Sequence, residues 1–222
     1  MHRIWEIDFF RGIAIILMIT FHTIFDLSYY YGMNINYSSG FWYYEGKLSA
    51  LTFIFLSGIC SNLSRNTIKR GIQIFLWGML LTITTFLINK SLYIKFGILH
   101  FLGISILLSP LFKNMNEKLL LIIGTFIIII SNYIDKITVN FPYLFPLGLP
   151  DQNFASLDYY PIIPYFGVFL YGILFYKIFY SKGKKLIKKD LKNNPITYLG
   201  QHSLTIYLIH QPIIIFILSL LK

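Results

Sequence analysis

Residues 1–31 read MHRIWEIDFFRGIAIILMITFHTIFDLSYYY, apolar enough to cross a bilayer yet holding Asp8, Arg11, His22 and Asp26. At about 100° per residue, with Arg11 set at zero, His22 falls at about 20° and both Asp8 and Asp26 at about 60°. All four therefore share one narrow helix face. From Asp8 to Asp26 the helix rises roughly 27 Å, which sets one acid near each membrane surface, Arg11 toward the inner side and His22 toward the outer. His22 and Asp26 stand four residues apart, the spacing at which a carboxylate reaches one imidazole nitrogen and orients it as a base. A charge at bilayer depth costs roughly 3 kcal/mol or more, so such groups face the bundle interior and mark a functional path. Bland readings stand beside this one: Arg11 as a snorkelling anchor paired with Asp8, and His22–Asp26 as a structural tie.

The rest of the chain agrees with a membrane setting. It has 222 residues, 56% hydrophobic and 13% charged, with a mean hydropathy of +0.64. That composition excludes an ordinary soluble domain. Apolar runs between polar breaks predict helices at 9–31, 47–63, 71–89, 96–112, 119–134, 161–180 and 198–221. The expected fold is all-α: a polytopic bundle of about seven transmembrane helices in a single domain over 1–222, with no room for a soluble catalytic domain. The N-terminus imitates a signal peptide, but His22 and Asp26 interrupt its apolar run and no small-residue cleavage pattern follows, so it reads as a retained span. Residues 141–150, with three prolines, read as a loop or re-entrant segment.

Thirteen of the 19 Lys and Arg residues fall on the side of the N-terminus under this span assignment, which orients the chain N-in and C-out. The net charge of +10 is then a topology signal, and nucleic acid is not an expected partner. The run SKGKKLIKKDLKN at 181–193 anchors the inner face, or touches anionic lipid or a polyanionic cytosolic ligand. The single cysteine, Cys60, excludes an internal disulfide and a multi-cysteine metal site. His22, His100, His202 and His210 show no close-spaced ligand motif, so no metal is expected. Two long outer loops, 32–46 and 135–160, are rich in aromatic residues. Trp42, Tyr43, Tyr44, Tyr159 and Tyr160 suit stacking on sugar faces, and a headgroup-level belt explains them equally.

The stretch IDFFRGIAIILMITFH resembles the first catalytic helix of the membrane acyltransferase superfamily, whose hallmark is Arg, ten residues, then His; Arg11 and His22 fit that spacing. Further along, FIFLSGICSNLSRNTIKRG, IKFGILHFLGIS, DYYPIIPYFGVFLYGI and LGQHSLTIYLIHQP resemble successive motifs of the heparan-alpha-glucosaminide N-acetyltransferase catalytic-domain family. The resemblance covers nearly the whole chain. It implies transfer of an acyl group from a cytosolic donor, typically acetyl-CoA, to a carbohydrate acceptor across or within the membrane. In the family's lysosomal glucosamine-acetylating member the functional histidine lies in the luminal segment after the first catalytic helix. Here that segment is YGMNINYSSGFWYYEG, without histidine, which leaves His22 as the candidate base and does not carry the glucosamine acceptor over.

On this reading Arg11, Arg65, Lys69 and Arg70 hold the phosphates of coenzyme A at the inner ends of the first three helices. His22, oriented by Asp26, deprotonates the acceptor or carries the acetyl group itself. His210, deep in the last span and eight residues from His202, is a further candidate at the acceptor site. His100 points into the cavity or bonds a neighbouring carbonyl. Asp158, before PIIPY, binds acceptor hydroxyls or is solvated, and Tyr159 joins it as a substrate-binding candidate through its aromatic face. Ser57 and Gly58 favour close helix packing over an oxyanion hole. The expected setting is the plasma membrane of a prokaryotic cell, with lipid, acyl-CoA and a carbohydrate as partners. A homodimer is compatible with the thin wall that seven spans leave around a cavity. The competing class is a small proton-coupled transporter using the Asp8, Arg11, His22, Asp26 stripe as a relay, although the Pro/Gly breaks sit at span ends. A non-catalytic scaffold is a third reading, against which Arg11 and His22 stand.

Overall fold

Helices account for nearly all the regular structure in the computed structural model, which describes residues 4–134, 136–137, 139–181, 186–187 and 193–220. Most of the basic run, Lys182, Lys184, Lys185, Lys188, Lys189 and Lys192, lies outside the described residues, as do Arg3 and Lys222. The elements are α1 (Trp5–Tyr29), α2 (Gly40–Leu63), α3 (Thr67–Ile88), α4 (Ile98–Lys113), α5 (Glu117–Ile134), α6 (Ile162–Phe175), α7 (Pro195–Gln201) and α8 (Ser203–Leu220). A π turn, Tyr176–Tyr180, extends α6. Among the described residues six helices are long and apolar enough to span a bilayer, and α4 is a shorter apolar helix. The protein is an integral, multi-pass membrane protein. Leu76, Ile83, Phe126 and Phe216 lie exposed on α3, α5 and α8, the arrangement of helices that face hydrocarbon rather than water.

Two expectations change. Helix α2 begins at Gly40, not near 47, so the end of the supposed 32–46 loop is helical. Gly40, at φ +71, makes the left-handed turn that starts it, and the polar Glu45 lies within the helix, not before it. The last span, expected as one helix over 198–221, is two. Asn194 caps α7 by accepting the Ile196 N–H at 2.8 Å, Pro195 opens its first turn, and α7 stops at His202 (φ −104, ψ 18). His202 and His210 therefore do not share one continuous helix.

The chain divides into two compact units, 1–56 with 185–222, and 57–184. In the first, α1 and α7 meet backbone to backbone. A Cβ on Gly12 would collide with the Ile196 carbonyl, and one on Gly200 with the Asp8 carbonyl. Helix α2 joins α1 through Ser49, whose hydroxyl donates to the Ala14 carbonyl at 2.9 Å, and through Gly46, where a Cβ would lie within 2.8 Å of the Phe21 ring. The fully buried Glu6 accepts the Ile187 N–H at 2.5 Å.

The second unit uses the same small-residue logic. Gly71 and Gly78 of α3 face Leu107 and His100 of α4, Gly103 faces Phe75, and Gly124 of α5 faces Gly167 of α6. Gly58 packs against the Phe169 carbonyl, the close-packing role expected for it. At one end, Lys177 Nζ donates to the carbonyls of Lys113 and Met115 at 3.0 and 2.6 Å, a cation on the C-terminus of α4. Lys113 donates to Thr67 at the start of α3 at 2.9 Å, so the first turn of α3 lies at that same end.

Candidate active site

In the first unit α1 and α8 bring together groups that sequence spacing does not. The rings of His22 and His210 meet edge-on, 4.7 Å between centroids at 61°. His210 Nδ1 lies 2.6 Å from the Tyr207 carbonyl, an oxygen that only accepts, so Nδ1 carries the proton and Nε2 holds the lone pair. That Nε2 is buried and has no hydrogen-bond partner among the described residues. A lone pair so placed can accept a hydrogen bond or a proton from a bound O–H or N–H group.

Asp26 lies one turn along α1 from His22 and is fully buried. The expected carboxylate–imidazole bond between them is not what forms. Gln211 Nε2 donates to both Asp26 oxygens at 2.8 and 2.9 Å instead. The reason is geometric: α8 sets the Gln211 amide directly across the carboxylate, where one nitrogen reaches both oxygens. With its amide nitrogen committed, Gln211 leaves Oε1 buried and unpartnered among the described residues. Asp26 therefore acts on the next residue along α8 from His210, not on His22. At the other end of α1, Arg11 pairs with Asp8 at 3.3 Å, the anchor-and-partner arrangement of the bland reading. Trp42 is half-buried in the first turn of α2, its ring against Phe41.

The remaining candidates belong to the second unit. Arg65 and Lys69 are exposed and Arg70 half-buried around the first turn of α3, where Asn66 caps the helix by accepting the Lys69 N–H at 3.0 Å. His100 is buried with both ring nitrogens engaged, Nδ1 accepting from the Gly97 N–H and Nε2 facing the Thr82 hydroxyl, each at 3.2 Å. Asp158 accepts the Ile98 N–H at 2.9 Å, so these two candidates tie down the start of α4. Tyr159 donates to the Phe145 carbonyl at 2.6 Å. Nearby, Tyr93, Tyr143, Phe145 and Phe154 line a cavity of about 270 Å³ with Lys95 and Asp151. Among the described residues no three His, Cys, Asp or Glu side chains gather closely enough to hold a metal ion.

Sequence reasoning missed Gln211, whose role depends on which face of α8 meets Asp26, and Glu45, hidden in a segment read as loop. No curated protein and no solved structure matches the chain. The family described as heparan-alpha-glucosaminide N-acetyltransferase, catalytic, matches residues 3–212. With nearly the whole chain inside that match and six helices fit to span a bilayer, the chain belongs to the heparan-alpha-glucosaminide N-acetyltransferase catalytic family of membrane acetyltransferases.

Proposed function

We propose that the chain moves an acetyl group from cytosolic acetyl-CoA to an extracytoplasmic or membrane-associated acceptor, a carbohydrate hydroxyl or amine, in the plasma membrane of a prokaryotic cell. The observation that carries this reading is the bare Nε2 of His210, its tautomer fixed by Tyr207, beside the ring of His22. In the direct route the acceptor O–H or N–H gives its proton to the imidazole as its heteroatom bonds the thioester carbonyl carbon. The carbon–sulfur bond then breaks and the leaving thiolate takes that proton, so coenzyme A departs as a thiol. If the imidazole itself takes the acetyl group, Nε2 bonds the thioester carbonyl carbon as the carbon–sulfur bond breaks, the acetyl group then passes to the acceptor, and the thiolate takes the acceptor's proton; rapid denaturation near neutral pH preserves the acid-labile acetyl-histidine. His22 packs edge-on against the base, and Asp26 positions Gln211 beside it. Arg11, near the inner end of the same helix as His22, supplies a phosphate contact to coenzyme A; the guanidinium fork suits phosphate oxygens.

The test is purified protein with radiolabelled acetyl-CoA, comparing wild type with His22→Ala, His210→Ala and Arg11→Ala. Saturable binding, with transfer or slow hydrolysis lost in both histidine variants, supports the proposal. No binding of any acyl-CoA, together with proton-driven solute flux in liposomes, overturns it in favour of a transporter.

A further inference from the structure

Glu45 is 8% exposed, and both its carboxyl oxygens are buried without a hydrogen-bond partner among the described residues. An orphaned carboxyl within a membrane helix is among the most costly groups a fold can keep. Its direction follows from its neighbours. Ser49, four residues on, bonds the Ala14 carbonyl, and Gly46 lies against the Phe21 ring. Moving toward the start of α2 thus moves toward the end of α1, so the two helices run antiparallel. Glu45 shares the Ser49 face, about 6 Å nearer the α2 start, at the turn of α1 that carries Phe21 and His22. The Phe21 and His22 rings are themselves in edge contact, 5.7 Å apart.

The same unit holds two more orphaned groups on α8 opposite that part of α1, His210 Nε2 and Gln211 Oε1. An imidazole lone pair, an amide oxygen and a carboxylate are all hydrogen-bond acceptors. The ligand that satisfies such a set must bring donors.

We infer that Glu45 and the Gln211 amide oxygen are acceptor-binding groups of the His22–His210 site, holding a substrate through O–H or N–H donors while His210 Nε2 faces the reacting one. This assignment rests on the acetyltransferase reading and adds to it the residues that choose the acceptor. Asp26, by binding the Gln211 amide nitrogen, fixes which end of that side chain the substrate meets.

A test that needs no turnover uses dicyclohexylcarbodiimide, which modifies carboxyl groups in apolar surroundings. The full chain in detergent is treated with the reagent alone or with methyl glucoside or glucosamine, and adducts at Glu45 and at exposed Glu117 are quantified by peptide mass spectrometry. Protection of Glu45, with Glu117 unaffected, is the expected result. Protection by both sugars points to hydroxyl donors, and by glucosamine alone to an ammonium. Equal modification of Glu45 with and without both sugars overturns the assignment. In the transfer assay, Glu45→Gln raises the acceptor KM about 10- to 100-fold while the acetyl-CoA KM holds. A wild-type acceptor KM in that variant also overturns it. If wild type shows no acetyl transfer, the proposed function fails, and carbodiimide protection alone decides the role of Glu45.

Discussion

The imidazole of His210 reaches the imidazole of His22 with its Nδ1 already bonded to the Tyr207 carbonyl. Only Nε2 is left to act, and no side chain occupies it among the described residues. Replacing His210 by Ala therefore removes the fixed lone pair and lowers acetyl transfer by about 10²- to 10⁴-fold. Steady-state assays with radiolabelled acetyl-CoA measure this; activity within a few-fold of wild type would move the base elsewhere.

The Asp26–Gln211 link makes a paired prediction. Gln211→Ala leaves a buried carboxylate without its amide and costs about 1.5–3 kcal/mol of stability, whereas Asp26→Asn keeps one amide bond and costs less. Thermal unfolding in detergent should rank wild type above Asp26→Asn above Gln211→Ala. The reverse order for the variants would mean that the carboxylate is held by something other than Gln211.

Gly200 and Gly32 test two different reasons for glycine. At Gly200 an added Cβ would come within 2.7 Å of the Asp8 carbonyl carbon, so Gly200→Ala forces α1 and α7 apart and costs about 1–3 kcal/mol or more. Gly32 has φ +67, and an added methyl there would meet nothing within 4 Å, so Gly32→Ala costs only about 1 kcal/mol of backbone strain. Equal melting temperatures for the two variants would contradict the backbone seam.

Asp158 separates anchoring from substrate binding. Asp158→Asn keeps an oxygen for the Ile98 N–H, and Asp158→Ala removes it at about 1 kcal/mol. A purely anchoring role predicts that the Asn variant regains both stability and acceptor KM. Restored stability with a raised acceptor KM would show that the carboxylate also touches the acceptor.

Topology is checked with single cysteines after replacing buried Cys60 by Ala. Asn34→Cys should react with an impermeant maleimide added outside cells, and Lys118→Cys only after the membrane is opened, if the N-terminus lies inside. The opposite pattern would reverse the donor side.

Much of the fold was legible because hydrocarbon imposes a coarse rule: long apolar runs become helices. The exceptions have local causes. The break falls where the backbone of His202 leaves helical geometry (φ −104, ψ 18), and the early start of α2 depends on a left-handed Gly40. Neither disturbs the apolar count. The site was harder to read. Helix periodicity put His22 and Asp26 on one face, which the structure keeps, but periodicity within α1 says nothing about what α8 offers across the gap. Gln211 takes the carboxylate, and His210 takes the position beside His22. Pairing within a helix follows from sequence spacing, whereas pairing between helices follows from rotation and depth, which spacing does not encode.

The glycine seam between α1 and α7 has a mechanical consequence. With carbonyls and amides almost touching at Gly12 and Gly200, neither helix can slide or roll past the other without atoms overlapping. The two behave as a single rigid strut. Any breathing that opens the His22 site must come from helices whose contacts are made through bendable side chains, and α1 presents His22 from a fixed post.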